Sequence, residues 1–227
     1  MPAPDLAARL AAVDERIADA AREAGRDPAE LTRIVVTKFH PVELVRDLYE
    51  LGVRDVGENR HQEAAAKAAE LTDLADLRWH FVGQLQSNKA KAVRAYASAV
   101  HSVDRSSLVG PLSSETGDPL DVFLELNLTD DPGRGGVQPD AVDALAELVL
   151  AASGLRLRGV MAVAPLGSEP RAAFATVRAV SDRIRRLAPE ADAISAGMSG
   201  DFAEAILEGA THLRIGTAIT GNRPTAG

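Results

Sequence analysis

Lys38 closes the apolar run Arg33-Ile34-Val35-Val36-Thr37-Lys38 and stands directly before Phe39-His40-Pro41. A β-branched run of this kind reads as a buried strand, and Pro41 as the start of a helix. A lysine at that seam carries its amine into whatever lies above the sheet. Desolvation there favours the neutral amine, which can condense with a carbonyl as a Schiff base. Taken alone, Lys38 also reads as a solvated lysine at a strand end.

The far end of the chain bears on that choice. Ala193-Ile194-Ser195-Ala196-Gly197-Met198-Ser199-Gly200-Asp201 and Leu213-Arg214-Ile215-Gly216-Thr217-Ala218 each run from a strand pattern into small, donor-rich residues. Ser199, Gly200 and Asp201 suit a helix N-terminus, where free N–H groups favour an anion. Gly216-Thr217 offers a second turn of the same kind, and two neighbouring donor turns can hold one phosphate. Capping serines and turn glycines are common. An amine on the first strand opposite a phosphate cradle on the last two is not.

Strands and helices alternate between these ends. An amphipathic helix with apolar positions Leu6, Leu10, Val13 and Ile17 spans about Asp5 to Ala24 and stops at Gly25. Strands are predicted at 33–38, 53–58, 78–83, 99–103, 121–127, 158–162, 193–197 and 212–217. Helices are predicted at 42–51, 60–71, 88–96, 106–114, 139–153, 170–187 and 201–208. Eight strands with intervening helices fit an α/β chain folded as a single (β/α)8 TIM barrel with an extra N-terminal helix. A doubly wound open sheet is the alternative. Residues 1–227 are read as one domain, with 1–30 packing on the barrel. The one loose stretch, Thr129 to Val137, follows the fifth strand. In a barrel, strand C-termini face one mouth, so Lys38, Glu58, Asn59, His80, Gln84, Ser102, Asn127, Met161, Ser195, Ser199, Arg214, Gly216 and Thr217 converge.

Composition narrows the classes. The 227 residues are 46% hydrophobic and 26% charged, with a net charge of −8. An acidic chain argues against a nucleic-acid surface, while a local donor nest can still hold a small anion. Absence of cysteine excludes disulfides, thiolate metal sites and cysteine nucleophiles. No apolar run reaches membrane-spanning length and no secretory signal is evident, so a cytoplasmic location and no membrane partner are expected.

The segments Val36-Thr37-Lys38, Gly57-Glu58-Asn59, Trp79-His80-Phe81-Val82-Gly83-Gln84-Leu85-Gln86-Ser87-Asn88-Lys89, His101-Ser102-Val103-Asp104, Gly159-Val160-Met161-Ala162, Ser195-Ala196-Gly197-Met198-Ser199 and Arg214-Ile215-Gly216-Thr217 together resemble the pyridoxal phosphate homeostasis protein family. The family's fold is like the N-terminal barrel of alanine racemase, a fold-type III barrel that binds pyridoxal 5′-phosphate (PLP). The resemblance implies that Lys38 forms the internal aldimine, that Ser199, Gly216 and Thr217 hold the phosphate, that Arg214 faces the pyridine nitrogen and that Asn59 lies near the ring. Arg60 stands where many relatives have tyrosine. The implied role is PLP homeostasis, by buffering and delivery to apo-enzymes, with no firm catalytic reaction.

Arginine cannot accept a proton, so Arg214 would keep the pyridine nitrogen unprotonated and weaken the ring as an electron sink. Its other reading is a salt-bridged arginine. Met161 and Ser195, at strand ends, complete the expected cofactor set with His80, which reads equally as a pocket residue or a hydrogen-bonded core histidine. His40, His61, His101 and His212 lack metal-ligand spacing, and no metal is expected. Ser87 is read as the cap of a helix whose Lys89 and Lys91 form either a solvated face or a second ligand site. Gly133-Arg134-Gly135-Gly136 fits neither a dinucleotide fingerprint nor a P-loop.

Three functions compete: a PLP carrier, a PLP-dependent amino-acid racemase, and a barrel using Lys38 on a phosphorylated sugar. Racemisation needs an acid and a base on opposite faces of the substrate carbon. In alanine racemases the second face is served by a tyrosine from a further domain of a partner subunit. This sequence ends soon after its eighth strand, and Tyr49 and Tyr96 fall in helices. A monomer with poor catalysis is therefore expected.

Overall fold

Eight parallel strands close on themselves in chain order, each joined to the next through helical segments, in the computed structural model of the protein. It describes residues 4–131 and 133–222, so Pro132 of the predicted loop and both ends of the 1–227 span lie outside the described residues. The strands are β1 (Thr32–Val36), β2 (Asp55–Glu58), β3 (Arg78–Phe81), β4 (Ala99–Val103), β5 (Leu120–Glu125), β6 (Leu155–Met161), β7 (Ala193–Ser195) and β8 (His212–Ile215). β1 pairs with β2 on one side and β8 on the other, Val35 facing Val56 and Ile215. That closure rules out the open doubly wound sheet.

The helices are α1 (Pro4–Glu23), α2 (Val42–Glu50), α3 (His61–Glu70), α4 (Ser87–Arg94), α5 (Val109–Leu112), α6 (Val142–Leu150), α7 (Pro170–Leu187), α8 (Phe202–Leu207) and α9 (Thr217–Thr220). Several are shorter than their sequence patterns. The predicted 106–114 helix is a 3-10 turn at Ser106–Leu108 followed by the single turn of α5. β1 stops at Val36, and β8 at Ile215 before the unpredicted α9.

Local rules explain the well-formed elements. In α7, the Glu169 carboxylate accepts from the N–H groups of Arg171 and Ala172, and Pro170 opens the helix. Such a cap stabilises by about 1 kcal/mol. Phe174, Val177, Val180 and Ile184 then face inward at helical spacing. α1 buries Leu6, Leu10, Val13 and Ile17. It lies against α8 and α9, where Arg9 donates to the Ile219 carbonyl at 2.7 Å.

Two apolar layers result. Strand residues such as Val35, Val100 and Leu124 pack outward against the helices, while Ala99, Phe123, Met161 and Ala193 fill the barrel interior. Fully burying a side chain of the size of Phe123 or Phe174 stabilises by about 1.5–3 kcal/mol. The predicted loose stretch after β5 is ordered by Asn127. Its amide donates to the carbonyls of Asp131 and Arg134, and its oxygen accepts from Thr129.

Candidate functional site

The turn after β1 is held by a buried charge cluster. Lys67, on the inner stripe of α3, donates to the Thr37 carbonyl at 2.9 Å, to Glu58 Oε1 at 2.7 Å and to Glu63 Oε1 at 2.9 Å. Thr37 donates its hydroxyl to Glu58 Oε1 at 2.7 Å, and the Phe39 N–H donates to Glu63 Oε1 at 2.5 Å. Burial raises the Glu58 carboxyl above its usual range, against the lowering effect of hydrogen bonds from Lys67 and Thr37. Phe39 sits at φ 68°, a left-handed conformation unusual for a large side chain. The clamp holds this turn, and the turn presents Lys38. Arg60 lies over the Phe39 ring at 5.0 Å.

Lys38 opens onto a cavity of about 310 Å³ at the C-terminal mouth. Val36, Val82, Val163 and Met198 supply apolar wall, and Lys38, Asn59, Ser199, Arg214, Gly216 and Thr217 supply the polar groups. Gly83 brings Asn59 close, since a Cβ there would fall 2.2 Å from the Asn59 carbonyl oxygen. Gly197 (φ 90°) lets the chain turn tightly against α8, where a Cβ would meet Phe202 Cα at 2.8 Å. The Ala218 N–H approaches Ser199 Oγ at 3.4 Å, joining the turn after β7 to the one after β8. Among the described residues, the N–H groups of Ser199, Gly200, Gly216 and Thr217 donate to no other backbone group. The Lys38 amine makes no hydrogen bond or ion pair there.

Arg214 forms the cavity floor and is 5% exposed. One terminal nitrogen donates to Ser195 O and Ser195 Oγ, both at 2.7 Å, and the other to Ala162 O at 2.9 Å. Burial lowers its pKa to about 10, with Glu125 and Asp201 opposing the shift, so it is a cation at neutral pH. It is held mainly by carbonyls, not by the salt bridge of its other sequence reading.

Six of the nine expected site residues therefore share one cavity: Lys38, Asn59, Ser199, Arg214, Gly216 and Thr217. The other three lie below it. His80 faces the opposite end, bonded to Asp55 and His101, because its place in β3 puts it deep in the barrel. Met161 belongs to the interior apolar cluster, and Ser195 is fully buried beneath Arg214. Ser87 is not a cap. It is the first residue of α4, Gln86 takes the cap position, and the Ser87 hydroxyl pairs with Ser107.

Sequence reasoning missed Lys67. Its signal was present: at helical spacing, Lys67 lines up with buried Ala64 on α3 and with buried Leu71 just past its end. Glu125 was missed too. Burial first, then Asp104, raises its carboxyl to about 7, and its Oε2 is buried without a partner among the described residues. No group of three or more potential metal ligands occurs among the described residues, and no helix there is long and apolar enough to cross a membrane.

The cavity brings together an amine, hydroxyl and N–H donors and a guanidinium, a set that suits a small anion. Residues 9–224 match the family described as "Alanine racemase, N-terminal domain". The chain is 42% identical to the pyridoxal phosphate homeostasis protein of Corynebacterium glutamicum, over 93% of this chain and 99% of that protein. It is 43% identical to the Pseudomonas aeruginosa protein of the same name, over 96% of each. It superposes on PipY of Synechococcus elongatus, a structure with PLP bound, with a TM-score of 0.79 and 35% identity, covering 95% of this chain and all of PipY.

Proposed function

Because the chain belongs to the pyridoxal phosphate homeostasis protein family, we propose that it binds PLP in the C-terminal mouth and serves in buffering and delivering it to apo-enzymes, with little or no turnover. The observation that carries this reading is the Lys38 amine, unpaired among the described residues, in one cavity with the donors of Ser199, Gly200, Gly216 and Thr217 and the guanidinium of Arg214. When bound, PLP supplies an aldehyde that condenses with a primary amine, forming a C=N bond and releasing water.

Lys38 is the amine, aimed by the turn that Lys67 clamps. Ser199 and Thr217 give hydroxyl donors to the phosphate and Gly200 and Gly216 give N–H donors, each charge-assisted. Val36, Val82, Val163 and Met198 exclude water from the ring. Arg214 offers only donors, so it cannot take a proton from the ring nitrogen or hold one there.

The same geometry supports weak catalysis. Neither tyrosine lines the cavity: Tyr49 reaches Asp76 on the surface, and Tyr96 stacks on His61 with ring centroids 5.9 Å apart. A second proton-transferring group opposite Lys38 is therefore not supplied by either.

The test loads the protein with PLP and incubates it with alanine or serine in D₂O, and separately with an apo-enzyme. Transfer of PLP with negligible loss of the α-proton is expected. Exchange in the ordinary enzyme range of about 1–10³ per second would make it a racemase.

A further inference from the structure

Beneath the cavity a single chain of hydrogen bonds crosses the barrel. Arg214 on β8 donates to Ser195 Oγ on β7 at 2.7 Å. Ser195 Oγ meets His101 Nδ1 on β4 at 2.8 Å. His101 Nε2 meets His80 Nδ1 on β3 at 2.9 Å. His80 Nε2 meets Asp55 Oδ1 on β2 at 2.9 Å. Asp55 lines the cavity at the opposite, N-terminal mouth, and Arg214 lines the cavity at the C-terminal one.

Donor counting orients every bond. Arginine can only donate, and an ionised carboxylate can only accept. Burial works to raise the Asp55 carboxyl, but hydrogen bonds from His80 and Arg78 outweigh it and bring it to about 2, so Asp55 is ionised. Burial pushes His101 far below the usual imidazole range, so it is neutral, with one N–H. With His80 donating to Asp55, one direction satisfies all the groups. The Ser195 hydroxyl donates to His101 Nδ1, His101 donates through Nε2–H to His80 Nδ1, and His80 donates through Nε2–H to Asp55. Ser195 then keeps its lone pairs for Arg214. In the reverse direction, Arg214 and His101 would both donate to Ser195 Oγ, and the buried hydroxyl hydrogen would have no acceptor in the chain. Phe123, stacked on His101 at 4.2 Å, keeps that ring in plane.

We infer that Asp55 is a positioning residue of the PLP site, acting from the far mouth through His80, His101 and Ser195 on Arg214. This rests on the reading that Arg214 faces the cofactor ring. Asp55 sets the direction of the chain, the direction sets which way the Ser195 hydroxyl points, and that sets the strength and aim of the Ser195–Arg214 bond.

The experiment has two arms. In the protein without PLP, nitrogen-15 NMR of the histidine rings should show the N–H of both His80 and His101 on Nε2. An Nδ1–H on His101 would overturn the inference. In the PLP-loaded protein, Asp55→Val removes the acceptor, and Asp55→Asn retains one. Asp121→Val is the control, since Asp121 is bound by Arg156 at the same mouth but stands outside the chain. Asp55→Val should shift the cofactor's absorbance maximum and speed PLP dissociation by about tenfold, the scale of one weakened bond to a charged group. Asp55→Asn should largely restore both, and Asp121→Val should move neither. Equal behaviour of Asp55→Val and Asp121→Val would overturn the inference. Should Asp55→Val not fold, the tautomer measurement on the unaltered protein decides. Failure of that protein to bind PLP would sink the proposed function while leaving the tautomer arm readable.

Discussion

At the N-terminal mouth, Asp55 is gripped by Arg78 at 2.7 and 2.5 Å, and Asp121 by Arg156 at 2.5 Å. At the C-terminal mouth, the side chains of Lys38, Asn59 and Thr217 bond nothing among the described residues. Both mouths are polar, and both surround a cavity. The difference lies in where the hydrogen-bonding capacity goes. At one end the carboxylates of Asp55 and Asp121 are spent within the protein and stabilise the fold. At the other, hydrogen-bonding capacity is left over, held in place by a clamp one layer beneath, and is available to a ligand. The larger cavity is at the N-terminal mouth, yet the smaller one has the uncommitted chemistry, in keeping with barrel sites at strand C-termini.

The comparison predicts that substitutions in the uncommitted group change binding with little effect on folding, whereas those in the committed group change folding and reach binding only indirectly, through the groups they hold. The largest effect is expected for Lys38→Ala. Covalent capture of PLP at the site should be lost, while the denaturant midpoint stays near that of the unaltered protein, because the Lys38 amine bonds nothing among the described residues. A clear drop in that midpoint would blur the distinction between the mouths.

Lys67→Met should do the reverse first. It strands Glu58 and Glu63, and breaking a buried ion pair costs about 3–5 kcal/mol, readable by denaturant unfolding. PLP retention should fall as well, since the turn bearing Lys38 loses its clamp. Unchanged stability would show that the cluster does not hold that turn.

Ser199→Ala and Thr217→Ala should each weaken PLP binding by about 1.5–3 kcal/mol, the range for hydrogen bonds to a charged acceptor, with little effect on unfolding. Affinity for pyridoxal, which lacks the phosphate, should be nearly unaffected. Equal losses for both ligands would place the phosphate elsewhere.

A smaller effect concerns pH. Glu125 is raised from 4.5 to about 7 by burial, so the folded state binds its proton more tightly than the unfolded state. Its stabilising contribution is complete below about pH 4.5 and is lost as pH rises through about 7. Asp55 behaves oppositely: its contribution is present above about pH 4 and lost as pH falls through about 2. Glu125→Gln should therefore raise stability above pH 7 by roughly 1–3 kcal/mol, since each tenfold difference in proton affinity between the two states is worth about 1.4 kcal/mol. A gain that does not vary between about pH 5 and 8 would contradict this assignment.

Much of this arrangement was legible in the residues. β4 and α7 have the predicted bounds, and for α7 the reason is local, since a capped amphipathic stretch leaves one solution. Lys38, Ser199, Arg214, Gly216 and Thr217 could be brought together because closing the sheet makes its first and last strands neighbours. Depth within the barrel could not be read. His80, Met161 and Ser195 lie near strand ends, but whether such a side chain reaches the mouth or fills a lower layer depends on strand tilt and register. The bulge in the β4–β5 pairing shifts that register locally. Lys67 was hidden for another reason: a lysine within an alanine-rich helix reads as solvated, and only packing against the turn after β1 shows the charge to be buried.

The most direct test of the central claim is borohydride reduction of the PLP-loaded protein, followed by mass mapping of its peptides. The chain has four lysines, Lys38, Lys67, Lys89 and Lys91, so the outcome is unambiguous. A pyridoxyl group on the peptide containing Lys38 is the expected result. An adduct confined to Lys67, Lys89 or Lys91 would contradict the assignment of the C-terminal mouth as the PLP site.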